Sequence, residues 1–276
     1  MKIAGLLAVI ITGALLLYGT LDLPDLSDPN VPTSKHVSDR YIEKSVEETS
    51  VPNIVTSVLA DYRGYDTMYE TTVIFTSGIA CFLLLRVFGR KETSIRQYRH
   101  IPTGITIRVT KGGKIPADSK EFERIDSQWI PYDIIIQTTV RLLIPFILLF
   151  AFYVIAHGHH SPGGGFQGGV ILGSAVILYA LSQDLRTAQK RVNERATGFM
   201  STIGVFIYAG TGALCMLLGS NFLDYSALAP VLGVDPITAR SHGILMVEIG
   251  VGVAVMGVMI FIYYILSSGG HLDEGL

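Results

Sequence analysis

Six apolar runs alternate with polar stretches along the chain, and each is long enough to form a membrane-crossing helix. A helix of about 18 or more apolar residues spans the roughly 30 Å of hydrocarbon in a bilayer. Only 16% of the residues are charged and the mean hydropathy is +0.46, whereas a soluble domain has roughly a quarter charged residues. The pattern predicts an all-α integral membrane protein of about six transmembrane helices, at 3–19, 67–88, 134–156, 165–183, 198–220 and 242–266.

The distribution of Lys and Arg predicts the orientation of these helices. Most basic residues fall on the side that holds the N-terminus, so the positive-inside rule favours an N-in/C-in arrangement in the cell membrane. The first run could instead be a signal peptide with Lys2 as its basic region. No small-x-small cleavage site follows it, because the exit reads Tyr18-Gly19-Thr20-Leu21-Asp22. An uncleaved helix in a multi-pass protein is therefore favoured.

Three stretches outside the apolar runs have distinct patterns. Residues 20–50 are acidic and contain prolines, which predicts an extended outer loop. Residues 89–133 contain a predicted strand at Ile105–Val109 and a turn at Gly112-Gly113, with too few apolar residues for a separate core. Residues 51–63 predict a short amphipathic helix on the membrane surface, with an apolar face formed by Val51, Ile54, Val55, Val58 and Leu59.

The turn after the third run is rich in glycine and histidine, from His157 to Gly169. Ser161 and Pro162 suit the N-cap and the first turn of the fourth helix. Small residues recur every fourth position from there, a pattern that lets another helix approach to backbone contact. These are Gly165, Gly169 and Gly173. The glycines do not fit a phosphate-binding loop, because no Lys-Ser or Lys-Thr follows them.

The histidines of this turn, His157, His159 and His160, are candidates for proton exchange. Imidazole gains and loses a proton near neutral pH, and these side chains lie at the predicted membrane edge. Three histidines in one irregular turn supply only a partial ligand set, so no metal site is predicted. The alternative is that they are ordinary interfacial residues.

Carboxylates within apolar runs are the second candidate group for ion translocation. Asp66 and Glu70 lie four residues apart at the start of the second helix, and Glu248 lies about two turns into the sixth. Placing a charge inside a bilayer costs about 2–3 kcal/mol or more, so such a residue normally faces a partner or a hydrated path. The alternative for Asp66 is a cap or a side chain at headgroup depth.

Two segments resemble the Mrp-type multisubunit Na⁺/H⁺ antiporters. The stretch Asn53–Val73 is similar to the C-terminal end of the large A component of these antiporters. The stretches Arg141–Phe146, His157–Val170 and Glu248–Gly252 are similar to the B component, an MnhB-like domain. The same two modules occur in archaeal membrane-bound hydrogenase and sulfane-sulfur reductase complexes.

The resemblance implies a module at 1–90, a cytoplasmic linker at 91–130 and a four-helix module at 131–276. It also matches Glu70 to an acidic residue embedded in a family helix, although Tyr69 stands where the family has a small Gly. The family's Pro-Gly-Gly turn is matched by Pro162, Gly163, Gly164 and Phe166.

By this resemblance the chain is a non-catalytic membrane subunit of a complex that translocates Na⁺ and H⁺. The preferred complex is the antiporter module of an archaeal redox-driven respiratory complex. The alternatives are one subunit of a stand-alone Mrp antiporter and a purely structural bridging subunit. The expected partners are other membrane subunits, the lipid bilayer, Na⁺ and H⁺. No cofactor is expected, and the net charge of −2 does not favour nucleic acid.

Overall fold

The computed structural model describes residues 2–23, 28, 30–31, 35–86, 96–109, 121–125, 134–183, 185–268 and 270. The chain divides into two compact units, residues 1–45 and residues 46–276. Within the described residues, five helices are long and apolar enough to cross a membrane, and Gly5–Gly19 forms a shorter apolar helix. The prediction of an all-helical membrane protein is therefore confirmed.

The first unit contains helix α1 (Lys2–Gly19) and a single 3₁₀ turn (Thr20–Asp22). A second helix, α2 (Ser38–Thr49), lies in the stretch that we predicted to be an extended loop. That prediction is wrong for residues 38–49. The segment lacks Pro and Gly, is rich in Glu and Ser, and has Asp39 in its first turn, where an acidic residue favours a helix.

The second unit holds the remaining helices. They are α3 (Ile54–Ser57) with a π turn (Val58–Tyr62), α4 (Gly64–Leu85), α5 (Ile134–Ala156), α6 (Gly165–Ser182), α7 (Leu185–Arg191), α8 (Glu194–Leu217), a 3₁₀ turn (Tyr225–Leu228), α9 (Ala229–Leu232) and α10 (Pro236–Ser267). The predicted helices at 134–156 and 165–183 agree closely with α5 and α6. The last predicted residues of the second helix, 87–88, lie outside the described residues.

Two spanning helices begin earlier than predicted because capping residues precede them. The Asn193 side chain accepts a hydrogen bond from the Ala196 N–H at 2.7 Å and starts α8. Asp235 accepts from the Ile237 and Thr238 N–H groups, with Pro236 in the first helical position of α10. Asp followed by Pro is a recognised helix start. Glu248 consequently lies about three turns into α10 rather than two.

Helix α10 is the central helix of the second unit. It contacts α4, α6 and α8, and α5 packs against α6. Small residues permit these contacts. A Cβ atom added at Gly169 of α6 would lie 2.6 Å from the carbonyl oxygen of Gly252. One added at Gly204 of α8 would lie 2.4 Å from the nitrogen of Ala254. The helices therefore meet backbone to backbone, as small residues allow in membranes.

A small antiparallel sheet lies in the polar stretch between α4 and α5. Its strands are β1 (Arg96–His100), β2 (Thr106–Val109) and β3 (Phe122–Ile125), in the order β2-β1-β3. Strand β2 confirms the predicted strand, whereas β1 and β3 were not predicted. The predicted turn at Gly112-Gly113 lies outside the described residues.

We expect Gly169→Ala to destabilise the protein although alanine is the better helix former. The new Cβ would overlap the Gly252 carbonyl, and overpacking costs about 1–3 kcal/mol. Gly198→Ala is the matched control, because no atom lies within 4 Å of the Cβ position there. Thermal midpoints of the detergent-solubilised protein should fall for Gly169→Ala and stay level or rise for Gly198→Ala. Equal midpoints for the two variants would contradict close packing of α6 on α10.

Candidate functional site

Residues 53–63, the docking segment, lie against residues 157–164, the histidine turn. The Asn53 backbone N–H donates to the His159 carbonyl at 2.9 Å. Its side-chain amide donates to the Gly158 and Ser161 carbonyls at 2.8 and 2.9 Å. The Thr56 hydroxyl also donates to Gly158, at 2.8 Å. An irregular turn between spanning helices has carbonyl groups without helical partners, and the docking segment satisfies three of them.

The docking segment turns its polar side toward the protein, so the predicted apolar face is wrong. Thr56 and Ser57 are buried, whereas Val55 and Leu59 are 57% and 46% exposed. The hydrogen bonds to the histidine turn require polar side chains on the inner side. Apolar side chains on the outer side suit a face that meets lipid or another subunit.

A π turn follows α3 and places the rest of the docking segment against the helix bundle. The Arg63 N–H donates to the Val58 carbonyl at 2.8 Å, which closes the wide turn. Two buried tyrosines hold its backbone: Tyr225 donates to the Ala60 carbonyl at 2.9 Å. Tyr208 donates to the carbonyl of Gly64 at 2.8 Å. Single π turns are rare and occur often at functional sites.

An ion pair joins the π turn to α10. The Arg240 guanidinium donates to both carboxylate oxygens of Asp61, with Nε to Oδ2 at 2.9 Å and Nη2 to Oδ1 at 2.5 Å. The Asp61 side chain is only 6% exposed, and a bidentate pair of this kind is among the strong polar contacts in proteins. We did not predict this pair, since nothing in the spacing of positions 61 and 240 indicates that they meet.

The histidine turn also covers a buried carboxylate. Glu248 is 7% exposed and His159 is 8% exposed. The His159 Nδ1 atom lies 3.5 Å from Glu248 Oε2, and its Nε2 atom lies 3.0 Å from the Ser241 carbonyl oxygen. The Gly165 N–H at the start of α6 interacts with the carboxylate, but Oε2 itself has no hydrogen-bond partner among the described residues.

These contacts define a place for one proton. A carbonyl oxygen only accepts, so the Ser241 contact assigns a hydrogen to His159 Nε2. Burial lowers the pKa of His159 below its ordinary value of 6.5, which makes the neutral imidazole the main form at pH 7. Its Nδ1 lone pair then faces Glu248 Oε2, which is also an acceptor when ionised. A proton between Nδ1 and Oε2 removes this repulsion between two buried acceptors.

Gly164 makes room for the carboxylate. Its φ of +133° lies in a region that side-chain-bearing residues rarely adopt. A Cβ atom there would lie 2.9 Å from Glu248 Oε1. Gly164 is also the N-cap of α6, so the predicted capping pair Ser161 and Pro162 is wrong. These two residues stay in the turn because the Ser161 carbonyl is held by Asn53.

The other two histidines lie in less buried positions. The His157 ring stacks on Tyr153 with ring centres 4.9 Å apart. It also lies 5.6 Å from the ring of His160, which is exposed. Among the described residues, no group of three or more His, Cys, Asp or Glu side chains is placed to hold a metal ion. The structure therefore brings one of the three predicted histidines, His159, to a carboxylate.

Asp66 and Glu70 lie apart from this pair. Asp66 forms a local, half-exposed ion pair with Arg63, with Nη2 to Oδ2 at 2.5 Å. Glu70 is exposed on the flank of α4 next to Tyr69, which is 61% exposed. The predicted translocation residues thus form two groups: His159 with Glu248 inside the bundle, and Glu70 on its outer surface.

Comparisons with known proteins identify the family. A family model described as the domain related to the MnhB subunit of Na⁺/H⁺ antiporters matches residues 135–261. The B component of the Na(+)/H(+) antiporter of Bacillus subtilis (strain 168) is 31% identical over 129 residues, which cover 46% of this chain and 87% of that protein. The chain belongs to the MnhB family. A putative antiporter protein mnhB2 of Staphylococcus haemolyticus (strain JCSC1435) is 33% identical, covering 50% of this chain and 96% of that protein.

Other matches extend beyond the MnhB-related region. The MbhE family model, which describes one component of the MBH complex, matches residues 25–100. A probable K(+)/H(+) antiporter protein of Rhizobium meliloti (strain 1021), which combines the A and B components in its name, is 25% identical over 240 residues. That alignment covers 86% of this chain, which spans only 22% of the Rhizobium protein.

Two solved structures resemble the MnhB-family chain. The Mrp complex from Dietzia sp. DQ12-45-1b contains a chain with a TM-score of 0.57 and 25% identity, covering 96% of this chain and 25% of that one. An archaeal membrane-bound sulfane sulfur reductase contains one of the same fold, with a TM-score of 0.53, 24% identity and coverage of 94% and 97%. The protein is thus a multi-pass membrane protein. His159 and Glu248 lie in its MnhB-related region, and the docking segment lies in the region matched by the MbhE model.

We expect Asn53→Asp to weaken the contact between these two regions. Aspartate keeps the oxygen that accepts from the Val55 N–H but replaces the donor that faces two carbonyls. Leaving buried carbonyls unpaired costs about 1–3 kcal/mol, and more beside a charge. The thermal midpoint of the solubilised protein should fall accordingly.

Asn193→Asp is the matched control for this experiment. The Asn193 side chain caps α8 as an acceptor, a role that Asp fills as well as Asn. Its thermal midpoint should not change. A similar small effect of both substitutions would show that the Asn53 amide donors do not hold the two regions together.

Proposed function

We propose that this chain is a membrane subunit of a multisubunit complex that translocates Na⁺ and H⁺, and that His159 and Glu248 carry a proton within it. The proposal rests on the family and on the buried contact of 3.5 Å between His159 Nδ1 and Glu248 Oε2. The curated relatives are antiporter subunits by name. In this proposal the chain itself performs no redox or hydrolytic chemistry.

The geometry allows a proton to change place with little movement. When the proton is on Oε2, it can be donated to Nδ1, which leaves an imidazolium beside a carboxylate. The imidazolium keeps its Nε2 hydrogen bond to Ser241, and the Gly165 N–H favours the carboxylate formed. Each form of the pair thus has a local interaction that stabilises it, as a group that is loaded and emptied in turn requires.

Glu70 supplies a second titratable group, on the surface that faces outward from the chain. A carboxylate on a spanning helix costs about 3 kcal/mol in contact with lipid. We therefore propose that a neighbouring membrane subunit covers this flank of α4 and that Glu70 exchanges ions with it.

We further propose that the complex is driven by a redox enzyme rather than acting as a stand-alone antiporter. The match of residues 25–100 to the MbhE model supports this assignment. A complex isolated through this chain should then contain stoichiometric iron in its partner subunits. An isolated complex that transports ions and contains only antiporter-like subunits would contradict it.

The proton-carrying role predicts the effects of substitutions at both members of the pair. In His159→Gln the amide can keep the hydrogen bond to Ser241 but loses the basic nitrogen that faces Glu248. Glu248→Gln removes the titratable carboxylate with little change of shape. Both should lower cation transport by about 100-fold, a usual effect of losing a proton-transfer group. Transport is measured as dye-reported pH change in vesicles containing the assembled complex.

Two control variants separate this effect from loss of structure. His160→Gln alters the exposed neighbour of His159 and should transport normally. Glu194→Gln removes another carboxylate of a spanning helix, which pairs with Arg86 at 3.0 Å, and should affect stability more than transport. Assembled complexes of His159→Gln and Glu248→Gln with normal transport would show instead that the chain is a structural bridging subunit.

For Glu70, the conservative and the neutral substitution should differ. Glu70→Asp keeps a titratable group and should retain part of the transport, whereas Glu70→Gln should lose most of it. Complex assembly, followed on native gels, should be the same for both. If Glu70→Gln blocks assembly, Glu70 is part of a buried ion pair between subunits, since removing one partner leaves an unpaired charge.

A further inference from the structure

A cavity of about 550 Å³ opens between α5, α6 and the short helix α7. It lies away from the histidine turn, at the opposite ends of α5 and α6. Its volume is within the range of small-molecule sites. Neither the docking segment nor the His159 and Glu248 pair contributes to it.

The cavity has a polar end and an apolar end. The two long helices that line it are joined by a short turn and run antiparallel. Arg141 and Gln183 line one end. Leu148 and Val176 each lie seven residues farther along their helix, about 10 Å away. Arg191, in the last turn of α7, also lines the cavity.

The charges of the polar end are all of one sign. Arg141 and Arg191 are exposed, and neither has an ion-pair partner among the described residues. The described residues that line the cavity include no Asp or Glu. Lys190 adds a further basic residue at the end of α7. By the positive-inside rule this end of the bundle faces the inner leaflet, whose surface is negatively charged.

Pro145 also shapes the groove. It lies inside α5 and has no N–H to donate to the Arg141 carbonyl one turn earlier, which weakens the helix at this level. The cavity lies at this interruption of the helix, with Ile144 and Pro145 in its wall.

We propose that this cavity binds one phospholipid with an anionic headgroup. Its phosphate would contact Arg141 and Arg191, and one of its chains would lie along Ile144, Leu148 and Val176. Two guanidinium groups match a phosphate in charge and hydrogen-bonding geometry, and the apolar wall matches a hydrocarbon chain. Basic pockets between spanning helices on this side of a membrane are typical anionic-lipid sites.

The test uses the purified complex in detergent, with phosphatidylglycerol and phosphatidylcholine of identical chains as probes. Native mass spectrometry should show phosphatidylglycerol retained in preference to phosphatidylcholine, and added phosphatidylglycerol should raise the thermal midpoint. The double variant Arg141→Gln, Arg191→Gln should bind phosphatidylglycerol about 30-fold more weakly. Arg195→Gln removes a nearby exposed charge that does not line the cavity and should leave binding unchanged.

Two further measurements distinguish the lipid from other occupants. Val176→Phe fills the apolar end and should reduce phosphatidylglycerol binding with both arginines present. Inorganic phosphate alone should not raise the thermal midpoint. Equal retention of the two lipids, or no retained lipid because a neighbouring subunit occupies the groove, would overturn the proposal. So would full protection by inorganic phosphate.

Discussion

The close contact between the start of α6 and the middle of α10 determines the geometry of the functional end of this protein. A Cβ atom at Gly165 would lie 1.9 Å from the Glu248 carbonyl oxygen, so only glycine permits the contact. Because no side chain separates the helices, the first N–H groups of α6 lie directly beside the Glu248 carboxylate. The preceding turn must then fold over that carboxylate, and this brings His159 into contact with it.

The same arrangement explains how two family regions form one polar cluster. The turn that covers Glu248 exposes backbone carbonyls to the membrane edge, and the docking segment supplies the donors that these carbonyls need. Asp61 then binds Arg240, the neighbour of Ser241, whose carbonyl positions His159. A continuous set of contacts thus connects the π turn with the proton site. A displacement of the docking segment would act on His159 from both sides, through Asn53 and through Ser241.

The outer surface of the second unit is chemically incomplete in the absence of other chains. Helix α5 has large exposed apolar side chains along most of its length, including Leu142, Phe146 and Leu149, as expected for a helix that faces lipid. Helix α4 differs, because Glu70 interrupts an otherwise apolar flank. A lone carboxylate there is unfavourable in lipid, which agrees with a place for this chain inside a larger membrane assembly.

The sequence by itself determined which segments form spanning helices and which residues allow them to pack. Bilayer thickness imposes a minimum length on apolar runs, and a glycine every fourth residue marks a contact face, so both features are local. Helix starts at Asn193 and Asp235 were also present in the sequence as capping signals, although we placed those starts several residues too late. The resemblance in short motifs indicated the family that the comparisons then established.

Only the tertiary structure decided which polar residues meet. His159 was one of three similar histidines in the sequence, and Glu248 one of three carboxylates in apolar runs, with nothing local to pair them. Asp61 and Arg240 are separated by most of the chain. The inner face of the docking segment was decided in the same way, against its own apolar periodicity. The physical reason is that unpaired backbone carbonyls and buried charges select their partners by distance in space, which hydrophobic periodicity along the chain does not encode.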